Sequence, residues 1–305
     1  MLFKQIASNK RKTVLIVFCF FLIVLLVGAA IGVLVWNNYL NGILIAAVIG
    51  IVYILFMIGS SSSVVMAMNH ARRINSREEE PVLWDIVENM AMVANIPMPQ
   101  VYIVDEASPN AFATGISPKK GAVAVTRGLL QRLERYELEG VIAHEISHIR
   151  NYDIRLSTIA IALVSVIAIL SDLAMRMLFW GGLTGNNRNN RKDNNGGGAV
   201  QIVIYVVALV FVILAPLIAT AIQFALSRNR EYLADASAVE LTRNPQGLID
   251  ALQKISGNTQ KMENVSAASE SIYFSSPLKK KNKEKAGLFD SHPPISMRIE
   301  RLESM

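Results

Sequence analysis

From Thr13 to Asn69 the chain carries no Asp, Glu, Lys or Arg, and no other feature constrains its fold as severely. The run breaks at Trp36-Asn37-Asn38-Tyr39, a polar and aromatic pattern typical of a membrane interface. It therefore reads as two spans, Thr13 to Trp36 and Leu40 to Met66. The first, at ~1.5 Å rise per residue, reaches about 36 Å as a helix, enough to cross a bilayer. Inside hydrocarbon every backbone amide must be bonded within the segment, which leaves the helix as the expected state. A signal peptide fits less well, because an h-region runs only ~7–15 residues and this one continues past Gly28-Ala29-Ala30.

Two further apolar stretches follow, Leu156 to Ser171 and Ala199 to Leu226, joined by an Asn- and Gly-rich loop from Gly181 to Gly198. The third stretch is short before Asp172 and Arg176 and is compatible with a re-entrant segment; the fourth has span length, with Pro216 expected to kink it. The chain thus partitions into a basic N-terminus (1–12), two transmembrane helices (13–69), a first soluble segment (70–155), a membrane hairpin (156–226) and a second soluble segment (227–305).

In the soluble segments, Glu78 to Asn95 has helical apolar spacing, and Val101 to Val104 and Ala122 to Val125 are β-rich. With Asn110 to Gly115 between them, a small sheet is expected. Helices are expected over Arg135 to Tyr152, Arg228 to Thr242, Pro245 to Ile255 and Pro294 to Leu302. Asn258 to Asp290 is Ser-, Asn- and Lys-rich without apolar period and reads as a loop.

Charged residues are 18% of the chain and apolar residues 52%, against about 25% charged in soluble domains. A net charge of +6 raises nucleic acid as a partner, but the basic residues flank apolar runs or cluster in Lys279 to Lys285, with no nucleic-acid fold motif. Nucleic acid is therefore excluded as a partner. Cys19, the one cysteine, excludes an intramolecular disulfide.

Chemistry concentrates in Ala143-His144-Glu145-Ile146-Ser147-His148, an H-E-x-x-H on an expected helix that holds two of the chain's 4 histidines. Spacing i, i+4 puts both imidazoles on one face, where they can share a tetrahedral zinc ion. Glu145 falls beside the metal, placed to take a proton from zinc-bound water. A catalytic zinc takes three protein ligands, and the candidates for the third are Glu231, Asp235, Asp153 and His292. Glu231 and Asp235 stand at i, i+4, so one can bind the ion while the other receives the ring N–H of a ligand histidine. Asp153 reads as a helix-end residue, and His292 as an oxyanion donor or a turn cap. Residues Asn110, Ala111, Phe112 and Ala113 are candidates for an edge strand that aligns substrate by strand addition.

If His148 and Glu231 bind one ion, the chain between them must return to its starting side, as a hairpin of two apolar segments does. Lys4, Lys10, Arg11 and Lys12 precede the first span, whereas Asn37 to Asn41 is uncharged, which favours an inside N-terminus and a cytoplasmic site. Arg188, Arg191 and Lys192 run against that orientation.

These residues resemble the HtpX-type integral-membrane zinc endopeptidases, in the superfamily of the CaaX prenyl-protein proteases. The resemblance covers nearly the whole chain: the two hydrophobic pairs, Asn110 to Gly115, His144 to Asp153, Glu231 to Asp235 and Ser291-His292-Pro293-Pro294. It implies a mainly α membrane protein with four hydrophobic segments and a gluzincin-like α+β protease domain assembled from two separated soluble segments. It further implies one zinc per chain on His144, His148 and Glu231, with Glu145 as base, in a bacterial plasma membrane. The implied role is hydrolysis of damaged or misfolded membrane proteins under stress; partner proteases or chaperones leave no readable signal. Two other functions are expected to fail specific tests. A non-catalytic zinc scaffold or holdase predicts normal function after Glu145→Gln, and a transporter needs ionisable residues in its spans, of which Asp172 and Arg176 are the exception.

Overall fold

The computed structural model describes residues 2–163, 228–257, 262, 269–277 and 292–305. The fourth apolar stretch, the end of the third, the loop between them, Asp172, Arg176 and Lys279 to Lys285 lie outside the described residues.

Two compact units emerge, one built on Val14–Gly59 and one that gathers Met1–Thr13, Ser60–Ile161 and the described residues from Arg228 onward. The first consists of the apolar lengths of α1 (Leu2–Trp36) and α2 (Tyr39–Met68). Both are long and apolar enough to cross a membrane. The chain reverses at Asn37, whose φ is +50°, and the Asn38 side chain accepts the Leu40 amide to cap α2. Glycines let the two backbones touch: a Cβ on Gly42 would stand 2.0 Å from the Gly28 carbonyl oxygen.

The second unit holds a four-stranded sheet in the order β1 (Ala71–Ile74), β2 (Gln100–Val104), β4 (Gly121–Thr126), β3 (Ala111–Gly115). The β2–β4 pair is parallel and the outer pairs are antiparallel. Strand β1 is not among the sequence expectations. Its Arg72 and Arg73 look like charges flanking a span, yet both are exposed on an edge strand that pairs with Ile103 and Tyr102.

Helix α3 (Pro81–Val93) starts at a proline whose missing N–H costs nothing there and buries Leu83, Ile86, Val87 and Met90. A short α4 (Arg127–Arg132) follows β4, capped by the Thr126 hydroxyl, which accepts the Leu129 amide. Helix α5 (Arg135–Arg150) opens with a capping box between Glu134 and Glu137. It ends two residues short of the expected Tyr152, because Tyr152 adopts φ +59° and breaks the helical path. A new helical stretch runs from 153 to 163, with Leu156, Ile159, Ala160 and Ile161 buried.

After the undescribed residues come α6 (Arg228–Thr242), α7 (Pro245–Ser256) and α8 (Ile295–Glu303), close to their expected bounds. Ile142, Ile146 and Ile149 of α5 share one core with Val123 and Val125 of the sheet and with Leu248 and Leu252 of α7. Gly140 permits the α5–α7 contact, since a Cβ there would lie 2.8 Å from the Leu248 backbone nitrogen. The expectation of a plain loop over Asn258 to Asp290 needs correction for its described residues. Met262, Tyr273 and Phe274 are buried, and Glu270–Ile272 forms a 3-10 turn. Isolated apolar residues fill the core there without any period that a sequence scan detects.

Candidate metal centre

Helix α5 carries His144, Glu145 and His148 into the interior, and α6 packs beside it with Glu231 and Asp235 one turn apart. His144 is fully buried, whereas the His148 and Glu231 side chains keep 15% and 13% of their exposure, facing a cavity of ≈ 30 Å³.

The two histidines point Nε2 at Nε2, 3.1 Å apart. Glu231 completes the group, with Oε1 3.6 Å from His148 Nε2 and Oε2 3.8 Å from His144 Nε2. One ligand atom from each of the three residues fits within 4.8 Å of the others. A tetrahedral ion holding nitrogen and oxygen at about 2.0–2.1 Å spaces its ligands by about 3.3 Å, close to these separations. Both rings are also turned to bind. His144 Nδ1 lies 2.9 Å from Asp235 Oδ1, and His148 Nδ1 lies 3.3 Å from Asp153 Oδ2. With each Nδ1–H donated to a carboxylate, both Nε2 lone pairs meet at one point, an arrangement that needs a proton or a cation between them. The residues therefore fit a divalent metal with borderline nitrogen and oxygen preferences.

Electrostatics agree. Burial pushes His144 down to about 4, overriding Asp235, so its ring is neutral at physiological pH. Burial also opposes charge on His148, but Asp153, Glu231 and Glu145 outweigh it and lift the ring to about 9. Burial raises Glu145 to about 8, making it a stronger base than an exposed glutamate. Glu231 is held well below its ordinary value despite burial, chiefly by His292 and His148.

Among the described residues Glu145 Oε1 is buried without a hydrogen-bond partner, and the Ala113 amide donates to the same carboxylate. His292 places Nδ1 3.2 Å from Glu231 Oε2, while its buried Nε2 has no partner among the described residues and the ring lines the cavity. Of the four edge-strand candidates, Ala113 alone lines the cavity. Strand β3 is outermost among the paired strands, but Asn110, Ala111 and Phe112 are engaged by the chain's own residues 273–275.

Two contacts escape the sequence reading. Asp153 is not merely a helix-end residue, because the turn at Tyr152 swings it back beneath His148. Arg298 of α8 is 1% exposed and grips Asp235 through Nε at 2.9 Å and Nη2 at 2.6 Å. Its spacing from Asp235 carries no periodic signal; only the Pro-Pro start of α8 hinted that this helix was fixed in place.

Fold and site together define a metalloprotease on a chain with two helices able to span a membrane. Residues 76–305 match peptidase family M48, and the chain belongs to that family. It is similar to a protein named "Protease HtpX homolog" from Listeria monocytogenes serotype 4b (strain CLIP80459), 79% identical over 305 residues and covering 100% of both chains. A protein of the same name from Ligilactobacillus salivarius (strain UCC118) is 53% identical, again over 100% of both. Among solved structures, S. mikatae Ste24p aligns at 22% identity with a TM-score of 0.46, over 98% of this chain and 66% of that one.

Proposed function

We propose that this protein is a multi-pass zinc endopeptidase of the bacterial plasma membrane that hydrolyses damaged or misfolded membrane proteins at the cytoplasmic face. One zinc per chain is held by His144, His148 and Glu231, and Glu145 is the general base. The observation that carries this reading is the convergence of the two Nε2 atoms and the Glu231 carboxylate beside the unpartnered oxygen of Glu145. The charge-free N-terminal pair preceded by Lys10, Arg11 and Lys12 supports the orientation. The name of the relatives, "Protease HtpX homolog", supports the protease activity.

A bound zinc ion supplies a water acidified to a pKa of roughly 7 and a Lewis acid for the scissile carbonyl. The chain's own residues do the rest. Glu145, raised by burial, takes the proton of the attacking water and delivers it to the leaving amine. Asp235 and Asp153 hold the two imidazoles in the tautomer that leaves Nε2 free. His292 sets Nδ1 against Glu231 and turns its buried Nε2 into the cavity, beside the developing oxyanion. Ala113, between the cavity and β4, offers its carbonyl to an extended substrate.

The test is cleavage of unfolded β-casein by the full chain in detergent with zinc. Wild type cleaves and Glu145→Gln does not; undiminished cleavage by Glu145→Gln refutes the base assignment.

A further inference from the structure

The peptidase reading places an extended substrate along the outer edge of β3, yet much of that edge is taken. The Phe274 amide donates to the Ala111 carbonyl at 2.8 Å, and Phe112 and Tyr273 form an antiparallel bridge. Asn110 pairs with both backbone groups of Ser275: its Nδ2 donates to the Ser275 carbonyl at 2.8 Å, and its Oδ1 accepts the Ser275 amide at 3.2 Å. Residues 273–275 thus behave as a fifth, very short strand laid on β3 opposite β4. Strand addition to an unpaired edge is a general mode of peptide capture, and here the partner is supplied in cis.

The same segment lines the metal centre. Ser271 to Phe274 line the cavity, and the Phe274 ring stands edge-on to His144 at 5.0 Å. The ≈ 30 Å³ that remain hold one or two water-sized groups, far below the 300 Å³ or more typical of sites that take larger ligands.

Besides its buried rings, the segment is held by side-chain hydrogen bonds. Tyr273 OH and Ser269 Oγ both donate to Asn69 Oδ1, at 2.9 and 2.8 Å, and Arg298 Nη1 donates to the Phe274 carbonyl at 3.0 Å. Asn69, just past the end of α2, touches none of the proposed metal ligands, and its own Nδ2 is fixed on the Val65 carbonyl.

We propose that residues 273–275 are a displaceable pseudo-substrate strand: they keep the peptidase closed, and an extended stretch of unfolded polypeptide opens it by taking their place on β3. This rests on the peptidase reading and adds its regulation. Substrate selection follows from chemistry. Only a segment with free backbone groups can compete for the edge, so folded proteins, whose amides are already paired, are excluded without any side-chain code.

Two measurements test it on the full chain in detergent with zinc. Tyr273→Phe removes one anchor while keeping the ring and the strand pairing, and Asn69→Ala removes the acceptor of both the Tyr273 and Ser269 hydroxyls. Each is expected to raise kcat/KM on β-casein about three- to tenfold, mainly through a lower KM, with zinc content unchanged. Unchanged or reduced kcat/KM in Tyr273→Phe, at wild-type thermal stability, overturns the proposal by making the segment a fixed wall. Hydrogen exchange in Glu145→Gln then reads displacement without turnover. Saturating β-casein is expected to deprotect the amides of 273–275; continued protection of 273–275 with casein bound contradicts displacement. Failure of the peptidase reading is distinct: wild type then leaves casein intact, whatever the exchange shows.

Discussion

Asp235 and Arg298 form a buried two-bond ion pair, and the Asp235 oxygen 2.6 Å from Arg298 is the one that lies 2.9 Å from His144 Nδ1. The carboxylate thus fixes a metal-site histidine on one side and is itself fixed on the other. Asp235 is held below its ordinary value despite burial, first by the Arg298 guanidinium and then by the hydrogen bond from His144. Asp235→Asn keeps shape but weakens the acceptor for the His144 Nδ1–H, and a 10–100-fold loss of zinc affinity is expected in chelator competition. Arg298→Ala strands a buried carboxylate and is expected to cost about 3–5 kcal/mol, read as a lowered thermal midpoint.

Glu145→Gln separates chemistry from metal binding. Glutamine retains the size of the side chain but cannot take a proton, so kcat is expected to fall by about 10²–10⁴ while zinc content stays at the wild-type level. A parallel loss of zinc would mean that Glu145 is a ligand.

Zinc affinity is expected to rise with pH. Below about 9 the His148 ring carries a proton that the metal must displace, whereas His144, near 4, is neutral throughout. One proton released per ion gives about a tenfold gain in affinity per pH unit between pH 6 and 8. Calorimetry in buffers of different ionisation enthalpy measures that proton, and a flat profile contradicts the assignment of His148.

Much of this was legible in the sequence because it is local. An i, i+4 pair of histidines around a glutamate, and an i, i+4 pair of carboxylates, declare a shared helix face before any fold is known. Helices α6 and α7 fell close to their expected bounds. What stayed hidden depends on distant partners. Arg298 meets Asp235 across 63 positions, and Asp153 reaches His148 only through the left-handed turn at Tyr152. Strand β1 hid behind Arg72 and Arg73, whose charge suits a membrane flank and an exposed strand edge equally. Tyr273 and Phe274 are single apolar positions in a polar stretch, and only tertiary contacts give them a place.

Helix position is fixed by close packing at Gly140. Alanine gains about 1 kcal/mol in helix propensity, but its Cβ meets the Leu248 backbone, which yields less readily than a side chain. Overpacking of about 1–3 kcal/mol should win, lowering the thermal midpoint of Gly140→Ala. Gly59→Ala is the control, since a Cβ there meets nothing within 4 Å among the described residues, and it should show no loss.

The most direct measurement is the zinc content of the purified, folded full chain by mass spectrometry. About one zinc per chain is expected in wild type and in Glu145→Gln, and a large loss in Glu231→Ala at matched circular dichroism. Folded wild-type protein reconstituted with zinc that retains no metal, or a Glu231→Ala variant that keeps its full complement, would contradict a single ion shared by His144, His148 and Glu231.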